Sequence, residues 1–179
     1  GNLVEDKGVE FNITLDHSHV IFKINNPKEQ KIYNTKEKIL AGELILDPFI
    51  RGNVVEEWIN SGWVKHCHAR SAIPNNPLNI YGKHPDGTVG RGIQYPFKKP
   101  NNDEYHSLWE EKLLDPWKEC ILKLMKYHAK DPKSKLGQIS TEFIPNTDYG
   151  EGCKYSLFEQ GVECTKWMRK SWQKIIKEI

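Results

Sequence analysis

A chain of 179 residues, 37% of them hydrophobic and 28% charged, is long enough for one domain with a sizeable core and shows no obvious division into two. Its mean hydropathy of −0.68 excludes the run of roughly 20 apolar residues that a membrane helix needs. The 26 Lys and Arg against 24 Asp and Glu leave a formal charge of +2, which gives no strong electrostatic case for nucleic acid as a partner.

The chain opens Gly1-Asn2-Leu3-Val4-Glu5-Asp6-Lys7, without the basic stretch and apolar core of a signal peptide, so a cytoplasmic location is expected. Phe11-Asn12-Ile13-Thr14-Leu15-Asp16 alternates apolar and polar residues, the period of a strand. Asn25, Asn26 and Pro27 then mark a loop, and residues 34–40 read as a short helix. Asp47 followed by Pro48 is a plausible helix start, with Phe49, Val54, Val55, Trp58 and Ile59 as its apolar stripe and Ser61-Gly62 as its stop. Trp63-Val64-Lys65-His66-Cys67-His68 is a second alternating segment, so the order strand, helix, strand predicts a parallel crossover.

Residues 71–102 are rich in Pro, Asn and Gly and read as a long loop, of the kind that usually serves function in a compact domain. Residues 103–130 place Leu108, Trp109, Leu113, Trp117, Cys120, Ile121, Leu124 and Met125 at spacings of three and four, which predicts a long helix divided or kinked at Asp115-Pro116. Gln138-Ile139-Ser140-Thr141-Glu142 is the third alternating segment, and a final helix is expected from about Ser156 to Lys177. Trp58, Trp109, Trp117, Trp167 and Trp172 fall on helical stripes and are expected in the core. Cys67, Cys120, Cys153 and Cys164 form no CxxC pair and are expected as reduced thiols, Cys67 on the apolar face of its strand.

Each alternating segment ends on a residue able to bind a divalent metal. If the strands run parallel with their carboxyl ends level, Asp16, His68 and Glu142 meet at one edge of the sheet. His66 shares the face of His68, His19 lies three residues past Asp16, and Arg70 lies just beyond the strand with a fork of donors for a substrate oxygen. The mixed Asp/His/Glu set suits Mn, Mg, Co or Zn without choosing among them.

Asp16-His17-Ser18-His19, then His66-Cys67-His68-Ala69-Arg70, then Thr141-Glu142-Phe143 resemble the sixth, seventh and eighth strand motifs of the xylose isomerase-like TIM barrel superfamily, the sugar phosphate isomerases and epimerases. The resemblance runs over nearly the whole chain. It implies an α/β fold, a partial (β/α)8 barrel of about three parallel βα units, with residues 1–179 forming one domain that is the carboxyl-terminal portion of the barrel. It also implies a divalent metal on Asp16, His68 and Glu142, with Glu142 and His19 catalytic and His66 and Arg70 binding a sugar or polyol. The family's first metal-binding glutamate, from an earlier strand, has no counterpart. A metal-dependent sugar isomerase or epimerase is therefore expected to need a complementary barrel half or self-association. The alternatives are a metal-assisted hydrolase of the endonuclease type and a non-catalytic accessory half-barrel.

Overall fold

Among the described residues, three of the five strands coincide with the three alternating segments. The strands are β1 (Ile13–Asp16), β2 (Val64–Ala69), β3 (Asn79–Lys83), β4 (Val89–Gly90) and β5 (Gln138–Thr141), in a computed structural model that describes residues 1–75 and 78–179. Asn76 and Pro77, part of the expected loop, lie outside the described residues. β1, β2 and β5 make a parallel sheet in that order, with Asp16 opposite His68 and Ala69 opposite Thr141. β3 and β4 form a separate antiparallel hairpin. The helices are α1 (Asn2–Glu5), α2 (Ser18–Ile21), α3 (Pro27–Ile32), α4 (Lys36–Leu40), α5 (Val54–Asn60), α6 (Asp115–Lys130) and α7 (Leu157–Glu178). The chain is thus an α/β protein with a three-stranded parallel sheet. Among the described residues no helix is long and apolar enough to cross a membrane.

The alternation decides which face is covered. Leu15 and Cys67 are buried with Val55 and Ile59 of α5, Trp117, Ile121 and Leu124 of α6, and Cys164 and Met168 of α7. Each large apolar side chain buried this way contributes about 1.5–3 kcal/mol. Burial pushes the Cys67 thiol well up, so it packs as a small apolar residue, as its strand position predicts. The opposite face carries Thr14, His66, His68 and Ser140, all exposed or half-buried.

Two expected helices begin later than the pattern suggests. Asp47 makes a turn instead of a helix start: its Oδ1 accepts the Phe49 amide at 2.9 Å, and Phe49 is 60% exposed. Gly52 then takes a φ of +76°, a conformation that ends any helical run, and α5 starts at Val54 under an Asn53 cap. Asn53 Oδ1 accepts the Glu56 amide at 3.0 Å while its Nδ2 donates to the Ile50 carbonyl at 2.8 Å. Asn53→Ala removes both bonds from a fully buried position, and a loss of about 1–2 kcal/mol in urea unfolding is expected. Likewise Asp115-Pro116 opens α6 instead of kinking a longer helix. Proline fits the first turn, where its missing N–H costs nothing, and a 3₁₀ turn, Glu111–Leu114, leads into it. Asn26, expected in a loop, caps α3, and Pro27 is that helix's first residue.

Residues 71–102 are structured to a greater extent than a loop, since they contain the β3–β4 hairpin. Polar side chains staple this segment to the chain that follows β5. Asn79 Nδ2 donates to the carbonyls of Thr147 and Glu151 at 3.1 and 3.2 Å. The buried Gln94 amide pairs with both backbone groups of Ile144, donating to its carbonyl at 3.1 Å and accepting from its N–H at 3.2 Å. Arg91 bridges Glu29 and Asp148 at 3.2 Å each. The two segments leaving the carboxyl ends of β2 and β5 are therefore joined directly above the strand ends.

Candidate functional site

The register brings the three strand-end residues together. β1 pairs Asp16 with His68 directly, and Glu142 follows the last paired residue of β5, with its amide donating to the Ala69 carbonyl at 3.3 Å. His68 Nδ1 lies 2.8 Å from Glu142 Oε2. Asp16 joins through Arg70, whose guanidinium reaches Asp16 Oδ2 at 2.9 Å with Nη1 and Glu142 Oε2 at 2.6 Å with Nη2. Arg70 also donates from Nε to the Glu142 carbonyl at 3.0 Å, and its guanidinium lies 4.1 Å above the Tyr149 ring. Its side chain is 3% exposed and that of Asp16 10%, so this ion pair is largely removed from water. Removing one partner of such a pair is far more damaging than its net contribution suggests.

Asp16 is oriented by the turn into α2. Its Oδ1 accepts the Ser18 amide at 2.9 Å, which points Oδ2 at the arginine. That Oδ2 is buried and, although close to Nη1, lies off the line of a hydrogen bond. Among the described residues neither atom has a hydrogen-bond partner. His19 stands at the rim, with Nε2 3.6 Å from Asp16 Oδ2 and its ring 42% exposed. Burial lowers the His19 pKa, Asp16 opposes that, and Arg70 and Lys23 reinforce it, so the ring is held mainly neutral near pH 7. Lys23 donates from Nζ to the His19 carbonyl, and burial pulls its ammonium down to about 8.

His66 lies one step back along the polar sheet face. Its Nε2 is 3.1 Å from Ser140 Oγ, its Nδ1 3.4 Å from Thr14 Oγ1, and its ring meets that of His68 edge-on with centroids 4.9 Å apart. Across the sheet Thr14 pairs with His66, and Asp16 with His68, which pairs in turn with Ser140, so Ser140 reaches His66 diagonally and Glu142 stands two residues past the row of Asp16 and His68. A cavity of about 440 Å³ opens beside Asp16 and His19 along β1, with Lys23 and Thr35 at its polar end and Leu44, Leu46 and Trp58 among its apolar walls.

All six residues singled out in the sequence, Asp16, His19, His66, His68, Arg70 and Glu142, gather in this region. Tyr149, Ser140 and Thr14 were not singled out. Ser140 and Thr14 share the alternation of their strands, which is the signal that could have found them. Tyr149 sits in the irregular chain after β5, where no period marks it. The donor chemistry, two carboxylates and an imidazole with one buried carboxylate oxygen lacking a hydrogen bond, fits a divalent cation. In the geometry present the guanidinium of Arg70 stands between those carboxylates, and among the described residues no three His, Cys, Asp or Glu side chains are grouped to hold a metal. In comparisons with known proteins, no family model, no curated protein and no solved structure matches the chain.

Proposed function

We propose that this chain is the carboxyl-terminal part of a xylose isomerase-like (β/α)8 barrel and supplies the strand-six-to-eight side of a metal-dependent sugar isomerase or epimerase site. The single observation that carries this reading is the meeting of Asp16, His68 and Glu142 at the carboxyl ends of three adjacent parallel strands, Glu142 two residues past the Ser140 that pairs with His68. In α/β barrels this is the end where sites are built, because the strands fix where each side chain starts while the loops vary. The polar sheet face gives a second support. Parallel sheets normally have both faces covered or close on themselves, and here one face carries the exposed or half-buried Thr14, His66, His68 and Ser140. A complementary barrel half, or a second copy of the chain, would turn that face inward.

A divalent cation held by Asp16, His68 and Glu142 would supply Lewis acidity to a sugar carbonyl, making the neighbouring C–H acidic. The chain's own groups do the rest. Glu142 is placed to take or return that proton, with its Oε2 2.8 Å from His68 Nδ1. His19, at the open rim and neutral, offers a donor or acceptor to a substrate hydroxyl. Arg70 and His66 complete the polar lining. The stapled segment above the strand ends limits access of water.

The test is calorimetric titration of Mn(II) into the chain, followed by assay on aldose and ketose pairs in the presence of the complementary half. Binding of Mn(II) by the wild-type chain is expected, with Glu142→Gln weakening it by about tenfold or more and lowering any turnover by roughly 10²–10⁴. A chain that takes up no divalent cation, alone or with the complementary half, overturns the reading.

A further inference from the structure

We propose that Arg70 occupies the cation position of this site in the resting protein, so that a divalent metal enters only by exchange with its guanidinium. The inference rests on the metal reading above and concerns what the chain does before metal arrives. Glu142 Oε2 is the common point: it takes Arg70 Nη2 at 2.6 Å and His68 Nδ1 at 2.8 Å. Asp16 has one oxygen committed to the Ser18 amide, and the other faces Arg70 Nη1 at 2.9 Å. A metal that coordinated both carboxylates would have to sit where the two Nη groups now lie. Two like charges of a metal and a guanidinium at contact distance, away from water, repel strongly, so the two cations exclude one another.

Exchange displaces the guanidinium of Arg70 as a unit, because its fork is planar and rigid. Its Nε donates to the backbone carbonyl of Glu142 at 3.0 Å, and its plane stacks on Tyr149 at 4.1 Å. Both contacts are therefore given up together with the carboxylates when metal enters. The freed fork is then available to the oxygens of a polyol or a phosphate. Metal uptake and substrate recognition are thereby coupled through one side chain: Arg70 is a positioning residue that guards the carboxylates when metal is absent and turns to substrate when it is present.

The experiment compares Mn(II) affinity by calorimetry for the full chain and for Arg70→Met and Arg70→Lys, with circular dichroism to confirm folding. Competition predicts that Arg70→Met binds Mn(II) about tenfold or more tightly than wild type, and that Arg70→Lys, a point charge without the fork, falls between. On the wild-type chain, titration with diamagnetic Mg(II) should shift the NMR signal of the Arg70 side-chain N–H as the fork lets go of its carboxylates. If wild type binds metal and Arg70→Met binds it equally or more weakly, the exchange is wrong while the metal site stands. If none of the three binds, the metal reading itself falls and the exchange with it. Should Arg70→Met fail to fold, the wild-type signal decides, and one unmoved at saturating Mg(II) overturns the proposal.

Discussion

Between pH 6.5 and pH 3 the protein is expected to lose up to roughly 5 kcal/mol of stability through His17 alone. His17 is fully buried, neither ring nitrogen has a hydrogen-bond partner among the described residues, and burial lowers its pKa from 6.5 to about 3. The unfolded chain therefore takes up a proton below about pH 6.5 that the folded protein refuses until about pH 3. Stability is at its full value above pH 6.5 and falls as the pH falls. His19, His106 and His128 are also lowered, with burial the largest cause in each, and add to the loss with the same sign. Urea unfolding at pH 7.5 and pH 4.5 measures the effect. His17→Leu should leave stability at pH 7.5 little changed, or raise it, because an unpartnered imidazole is replaced by an apolar group of similar size. It should also remove a large part of the acid sensitivity. Equal acid sensitivity in wild type and variant would show that His17 is solvated.

Trp117→Ala is expected to cost about 3–5 kcal/mol, or roughly 6–20 °C in melting temperature. Trp117 is fully buried at the start of α6, beneath the apolar face of the sheet, and packs against the rings of Phe97 and Trp167 with centroids 6.0 Å away in each case. It joins the chain after the hairpin to α6 and α7, so its loss opens a cavity that three elements would have to collapse to fill. Its indole N–H has no partner among the described residues. Trp117→Phe, which removes that orphan donor along with part of the volume, should therefore cost well under half as much. Differential scanning calorimetry of both variants tests this, and a loss below about 1 kcal/mol for the alanine variant would contradict the packing.

The sheet and site were legible because a strand period of two couples burial to chemistry. Once Leu15, Cys67 and Ile139 are read as inward, Asp16, His66, His68 and Ser140 must face the other way. The helix starts were harder. Asp47-Pro48 and Asn53 carry the same local signal, and only the positive φ at Gly52 separates a turn from a cap. Residues 103–114 share the period of α6, yet Leu108 is 78% exposed and Trp109 donates its indole N–H to the Pro96 carbonyl at 2.8 Å, a contact no local pattern encodes. The β3–β4 hairpin was hidden for a related reason. What holds it is Asn79 reaching carbonyls some 70 positions away, and its outward residues Ile80 and Val89 bury little that an alternation could reveal. Arg70 between the carboxylates was unreadable too: its place past the strand was visible, but the direction of its side chain depends on Tyr149.

The parallel pairing also sets the order in which the molecule can be made. Thr14 meets His66 across 52 positions, and Arg70 meets Glu142 across 72. Contacts between such distant points require large loops to close before any reward is gained, so they form late and slowly compared with local turns of helix. Each pair of neighbouring strands in the sheet waits on such a closure, and the site residues lie at the far ends of both. The site is thus among the last parts of the chain to be assembled, and a partly folded molecule presents separate histidines and carboxylates that no longer act on one another.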